Sequence, residues 1–187
     1  MTKKEEFIKY VDTYIKRDGI KELMEWLEND TDFFTAPAST KYHSSFEGGL
    51  CVHSINVFKR FCAEHKAVFP DANGSEVAES IAICALFHDL CKANIYVVET
   101  RNVKNKELNV WEEVPFYTCD PKMPIGHGCK SIILLQRFIK LTDKEIFAIY
   151  AHMGNMENDK DISNIYGRST FALLLHIADM KATFIDE

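Results

Sequence analysis

The sequence predicts a single, almost all-α domain with one inserted β-hairpin. Apolar residues recur at helical spacing in most segments, whereas residues 95–117 alone switch to a β-branched and aromatic register. With 187 residues, 47% of them hydrophobic and 12% aromatic, the chain suffices for one full core. No repeat, low-complexity tract or linker divides it, so residues 1–187 read as one domain: a helical hairpin and loop over 1–41, then the main body over 42–187.

Within residues 5–16, Phe7, Ile8, Val11, Tyr14 and Ile15 keep helical spacing; Asp18-Gly19 breaks the run and residues 20–28 resume it. Residues 29–45 have the Pro, Ser, Thr and Asp of a loop, yet Phe33, Phe34 and Tyr42 give it side chains to pack on the body, and His43 lies near its end. Gly48-Gly49 opens a helix on which Leu50, His53, Val57 and Phe61 share a face, widened by Ile55, Phe58 and Cys62. His53 therefore points inward, while His65, between Glu64 and Lys66, reads as surface.

Residues 70–74 are turn chemistry, and Ser75 reads as the N-cap of a helix through Val77, Ile81, Cys84, Ala85 and His88. The hairpin follows, turning at 104–107. Residues 118–126 form a loop with two prolines, and Gly126-His127-Gly128 introduces an apolar helix over 132–139. Thr142-Asp143-Lys144-Glu145 is a capping box for a helix ending at Ala151-His152-Met153-Gly154. Residues 155–167 read as a polar loop. The last helix, 169 to about 185, carries Ala172, Leu175, Asp179 and Ala182 on one face, so an acid sits within an apolar stripe.

The balance of 28 acidic against 22 basic residues, net charge −6, argues against a protein that sheathes a nucleic-acid backbone or an anionic membrane. No stretch approaches the ~20 apolar residues of a membrane span, and the start passes into an amphipathic pattern without an apolar leader. Six cysteines, Cys51, Cys62, Cys84, Cys91, Cys119 and Cys129, show no CxxC spacing and read as free thiols. These features predict a cytoplasmic protein.

The chemistry centres on Ala85-Leu86-Phe87-His88-Asp89-Leu90-Cys91-Lys92, where a His-Asp pair closes an apolar run. An imidazole nitrogen beside a carboxylate suits a borderline transition metal, and the carboxylate's second oxygen can reach a neighbouring ion. His53, His88, Asp89, His127, His152 and Asp179 all fall on inward helix faces or at helix ends. Each alone reads more readily as a hydrogen-bonded core group. Six of them from five helices point to one common answer, because buried ionisable groups are costly unless paired or bound to metal.

The order His53, His88-Asp89, Asp179 resembles the HD-domain metal-dependent phosphohydrolases. The likeness runs from about residue 42 to 184 and includes Gly-Gly-Leu-Cys-Val-His, Leu-Phe-His-Asp-Leu-Cys-Lys, Gly-His-Gly, Ala-His-Met-Gly and Leu-His-Ile-Ala-Asp. Among subfamilies it is most similar to the HD domain of bacterial 3′-to-5′ exoribonucleases. Cys91 stands where many members have Gly, and Met153 where some have a second histidine. The resemblance implies an HD-domain helical bundle in which His53, His88, Asp89 and Asp179 bind one ion. Asp89 would bridge to a second, held by His127 and His152. The ions expected are Mn, Fe, Ni, Co or Zn.

That resemblance implies a metal-dependent phosphohydrolase or phosphodiesterase acting on a nucleotide or short single-stranded nucleic acid through metal-bound hydroxide. The acidic chain argues against long duplex substrates. Asp89 and Lys92 are the expected catalytic residues, Lys92 answering charge on a phosphate oxygen. His43, Lys92 and Arg168 are the expected substrate contacts, with Arg101, Lys104 and Lys106 of the hairpin as weaker candidates that also fit a solvated turn. His176, three residues before Asp179, has a packing or supporting role. The alternative with the same ligand order is an HD-type mixed-valence di-iron oxygenase on a small organic substrate. A third reading keeps the metal as a structural staple only.

Overall fold

The computed structural model describes residues 1–120, 123, 125–154 and 161–187. Among these the fold is mostly helical with one two-stranded antiparallel sheet. The helices are α1 (Lys3–Tyr14), α2 (Ile20–Asn29), α3 (Gly49–Val68), α4 (Ser75–Phe87), α5 (His127–Leu135), α6 (Asp143–Ala151), α7 (Ile162–Arg168) and α8 (Thr170–Lys181). A 3₁₀ turn, Leu90–Lys92, follows α4, and a π-helical turn, Ala182–Asp186, prolongs α8. Strands β1 (Tyr96–Asn105) and β2 (Val110–Cys119) pair from Tyr96 with Cys119 to Asn105 with Val110.

The long helix α3 is the axis of the bundle, packed on α1, α4 and α8, while α6 packs on α5 and α8. The expected inward face of α3 is buried from Leu50 through His53 and Val57 to Phe61, and on α8 so are Ala172, Leu175, Asp179 and Ala182. Phe7 stands edge-on to Phe33, Phe34 and Phe87, which ties α1 and the loop after α2 to α4. Phe7, Phe33 and Phe87, fully buried, each contribute about 1.5–3 kcal/mol by leaving water. Thr2 and Thr142 both form capping boxes, with Glu5 and Glu145. Arg17, in the α1–α2 turn, reaches Glu145 at 2.6 Å and Glu79 at 3.0 Å, joining that turn to α6 and α4 through two half-buried ion pairs. No helix among the described residues is long and apolar enough to cross a membrane.

Several sequence expectations are corrected. The cap of α4 is Gly74 in an extended conformation, and Ser75 is the first helical residue. Helix α5 begins at His127, five residues earlier than its apolar run; beyond Leu135 the backbone tightens, Phe138 N–H donating to the Leu135 carbonyl. The hairpin turn spans residues 106–109, two residues later than the expected 104–107, and Asn105 pairs with Val110. Of the polar stretch 155–167, residues 155–160 lie outside the described residues, but the remainder is helical in α7, whose Ile162 is buried. Cys62 is exposed, off the buried face of α3. His65 is buried: Phe69 of its own segment and Phe171 from the distant α8 cover its ring.

One glycine fixes the loop before α3. A Cβ at Gly49 would fall 1.9 Å from the Ser44 carbonyl oxygen, which also accepts from Ala38 N–H at 3.0 Å. The loop carrying His43 can therefore lie directly against the start of the helix that carries His53.

Candidate metal centre

Four elements bring the charged groups together. His53 comes from the first turns of α3, His88 and Asp89 from the end of α4, His152 from the end of α6 and Asp179 from α8. All five are buried.

The imidazoles are oriented by their Nδ1 atoms. His88 Nδ1 lies 2.9 Å from the Ala85 carbonyl and His152 Nδ1 2.6 Å from the Ile149 carbonyl. His53 Nδ1 lies 3.1 Å from Glu187 Oε1. Carbonyls and carboxylates only accept, so each Nδ1 carries the proton, and in the neutral ring each Nε2 presents a lone pair inward. This is the arrangement that fixes ligating histidines. His176 supports it from behind, its Nδ1–H donating to the His152 carbonyl at 2.6 Å while its ring stacks on Tyr166.

The Nε2 atoms converge with the carboxylates. His53 Nε2 is 3.3 Å from His88 Nε2, 3.1 Å from Asp179 Oδ1 and 3.7 Å from Asp89 Oδ2. His88 Nε2 is 3.4 Å from Asp89 Oδ2 and 4.0 Å from Asp179 Oδ1. His152 Nε2 lies 3.4 Å from Asp89 Oδ1, and neither atom has a hydrogen-bond partner among the described residues. A transition ion holds N and O ligands at about 2.0–2.2 Å, which sets neighbouring ligand atoms about 3.0–3.4 Å apart and opposite ones about 4.2 Å apart. The observed separations span that range. Lone pairs facing lone pairs and carboxylates also require a cation or added protons. Burial opposes charge on His53, yet Asp179 and Glu187 outweigh it and lift the imidazole to about 9. His152 is raised likewise, burial being overcome by Asp89. These groups could therefore hold a metal ion, and in its place protons take up the same negative charge.

The carboxylates are held ionised. Burial works against Asp89, but Lys92 and His88 prevail and hold it well below the usual carboxylate range; Asp179 is lowered by His53 against the same cost. Lys92, buried rather than solvated, sets Nζ 2.6 Å from Asp89 Oδ2, which lifts its own pKa despite burial.

A cavity of about 630 Å³ opens onto this cluster. Its polar floor includes His43, Asp89, Lys92, His152, Asp179 and Glu187, and Tyr42, Met153, Met180 and Phe184 form an apolar rim. His43 is close to His53, ring centroids 4.8 Å apart, and its Nε2 is buried without a partner among the described residues. Burial, then His53, lowers its pKa, so the ring is neutral at pH 7. Arg168 departs from expectation. It ends α7, exposed, and does not line the cavity, because the chain turns extended at Ser169 to cap α8. Arg101 lies over the Phe116 ring, and Lys104 and Lys106 are on the hairpin, all off this cavity.

His127, the first residue of α5, falls in a group with Asp89 and Cys91, whereas His152 groups with His88 and Asp89. Two participants had no sequence signal. Cys91 in an apolar run reads as a small hydrophobe. Glu187 is eight residues past Asp179, which in an uninterrupted α-helix is about 80° round the axis. The wider π turn over Ala182–Asp186 winds it back to the same side, where Ser44 Oγ and Asn56 Nδ2 also donate to it, at 2.6 and 3.1 Å. Comparison of the chain with protein-family models, curated proteins and solved structures finds no match.

Proposed function

We propose that the chain is a metal-dependent phosphohydrolase or phosphodiesterase of the HD-domain kind, acting on a nucleotide or a short single-stranded nucleic acid. The observation that carries this reading is the convergence of three anchored imidazoles and two ionised carboxylates, of which His152, Asp89 and Asp179 line one open cavity. A site that only stapled the fold would be closed by its own ligands. In this reading His53, His88, Asp89 and Asp179 hold one ion, and Asp89 with His127 and His152 holds a second, drawn from Mn, Fe, Co, Ni or Zn. Bound there, the metal would lower the pKa of water and polarise a phosphoryl oxygen.

The chain's own residues supply the rest. Asp89 belongs both to the group with His88 and His152 and to the group with Cys91 and His127. Lys92 is held against Asp89 with donors left for a phosphate oxygen at the cavity floor. His43, neutral and with Nε2 unpartnered among the described residues, can hydrogen-bond a substrate oxygen or take up a proton at the cavity floor. Tyr42 and Phe184, both strongly exposed at the rim, offer rings on which a base can stack. A cavity of about 630 Å³ and a net charge of −6 both suit a small or short substrate.

The test is anaerobic turnover. Metal-loaded protein is assayed against nucleoside mono- and triphosphates, cyclic dinucleotides and single-stranded oligonucleotides with oxygen excluded. Release of phosphate or nucleotide supports the reading. No release from any of them, with oxygen uptake on a small organic acid, replaces it with the oxygenase.

A further inference from the structure

The group formed by Asp89, Cys91 and His127 differs from the others at this centre in containing sulfur. One ligand atom from each of the three lies within 4.8 Å of the other two. Cys91 and Asp89 are buried, and the Asp89 Oδ1 atom has no hydrogen-bond partner among the described residues. Local structure holds the thiol in place. Cys91 lies in the 3₁₀ turn directly after the His-Asp pair, and its backbone N–H donates to Ser131 Oγ of α5 at 3.1 Å. The helix that begins with His127 is thus tied to the turn that carries Asp89 and Cys91.

We propose that Cys91 is a ligand of the second metal ion, which sits in a mixed site of Asp89 carboxylate, His127 imidazole and Cys91 sulfur. The proposal rests on the metal-dependent reading above and revises its second site, with His152 kept in the group of His88 and Asp89. Metal–sulfur and metal–nitrogen bonds of about 2.3 and 2.0–2.1 Å in a tetrahedral shell put S and N about 3.6 Å apart, so the sulfur and the imidazole nitrogen close by no more than about 1.2 Å. The Cys91 thiol gives up its proton to solvent as the sulfur–metal bond forms, with no change of oxidation state. A thiolate in the shell favours Zn, Fe or Co over Mn or Mg at that position, so the two positions differ in the ion they select.

Cobalt reads this directly, because a thiolate–Co²⁺ bond gives an intense near-ultraviolet charge-transfer band that N and O ligands do not. The full chain, stripped of metal, is titrated with Co²⁺ under reducing conditions. The expected result is a band that grows with the second equivalent, is lost in Cys91→Ser and is kept in Cys129→Ser. Weaker second-site affinity in Cys91→Ser, by at least the ~10–100-fold that losing a mere supporting group costs, is expected too. X-ray absorption on the wild-type cobalt protein needs no variant and should show one sulfur at about 2.3 Å from half of the cobalt. Two cobalt ions bound with no band and no sulfur neighbour overturn this proposal alone, as does a band that survives Cys91→Ser. No cobalt binding at all overturns it together with the metal centre.

Discussion

Replacing Gly128 with Ala sets two physical effects of opposite sign against each other. Gly128 is the second residue of α5, and alanine there gains about 1 kcal/mol of helix propensity. A Cβ at that position, however, would lie 2.6 Å from the carbonyl oxygens of both Ile149 and Tyr150 and 2.7 Å from Tyr150 Cα. These are backbone atoms of α6, which no rotamer change can remove. Reaching ordinary contact requires the two helices to part by about 0.8 Å, and a gap of that size forfeits a quarter to a half of the dispersion energy along the seam. Overpacking costs about 1–3 kcal/mol where side chains can yield, so the upper end applies. The net loss is about 2 kcal/mol, a fall in Tm of about 4–8 °C for a chain of this size. Because α5 starts with His127, the same movement should deplete the second ion while His53, His88 and Asp179 keep the first. Thermal unfolding with metal analysis checks both. A Tm equal to or above wild type would refute the reasoning, since propensity would then have outweighed the contact.

Acid should unfold the protein partly through Glu145. Its buried carboxyl resists ionisation, yet Arg17 at 2.6 Å, the Thr142 N–H and Ser80 hold its pKa below the usual 4.5. A lowered folded pKa means that the stabilisation is complete above about 4.5 and is lost as pH falls through the folded value. Urea unfolding between pH 6 and 3 should therefore show a steeper acid loss in wild type than in Glu145→Gln, and equal slopes would remove the assignment. Glu145→Ala should cost about 1–3 kcal/mol at pH 7, because half-buried Arg17 loses its 2.6 Å partner but keeps Glu79. Asp89→Asn should purify with less metal at both positions, because Asp89 lies in the ligand groups of His152 and of His127 alike; full wild-type metal content would contradict a shared carboxylate.

Much of this centre was legible because its residues break a local pattern. His53 and Asp179 interrupt apolar helix faces and His88-Asp89 closes an apolar run, which is the signal of charge aimed into a core. The hairpin was legible from its register, and α6 from its capping box. What escaped depends on partners far away in sequence. His65 has charged neighbours along the chain and is buried only because Phe171 closes over it. Helix α7 is seven residues long, too short for its period to stand out. Glu187 reaches His53 through a π turn that no α-periodicity anticipates, and Cys91 belongs with His127 only once α5 has docked on the 3₁₀ turn.

The most direct measurement is the metal content of the purified protein by inductively coupled plasma mass spectrometry, for wild type and His88→Ala side by side. The cluster of anchored Nε2 atoms and ionised carboxylates predicts at least one equivalent of Mn, Fe, Co, Ni or Zn per wild-type chain, kept through dialysis, and near-complete loss in His88→Ala with the helical content retained. A wild-type protein that is metal-free as isolated, and that takes up none of these ions when each is supplied, would contradict the account.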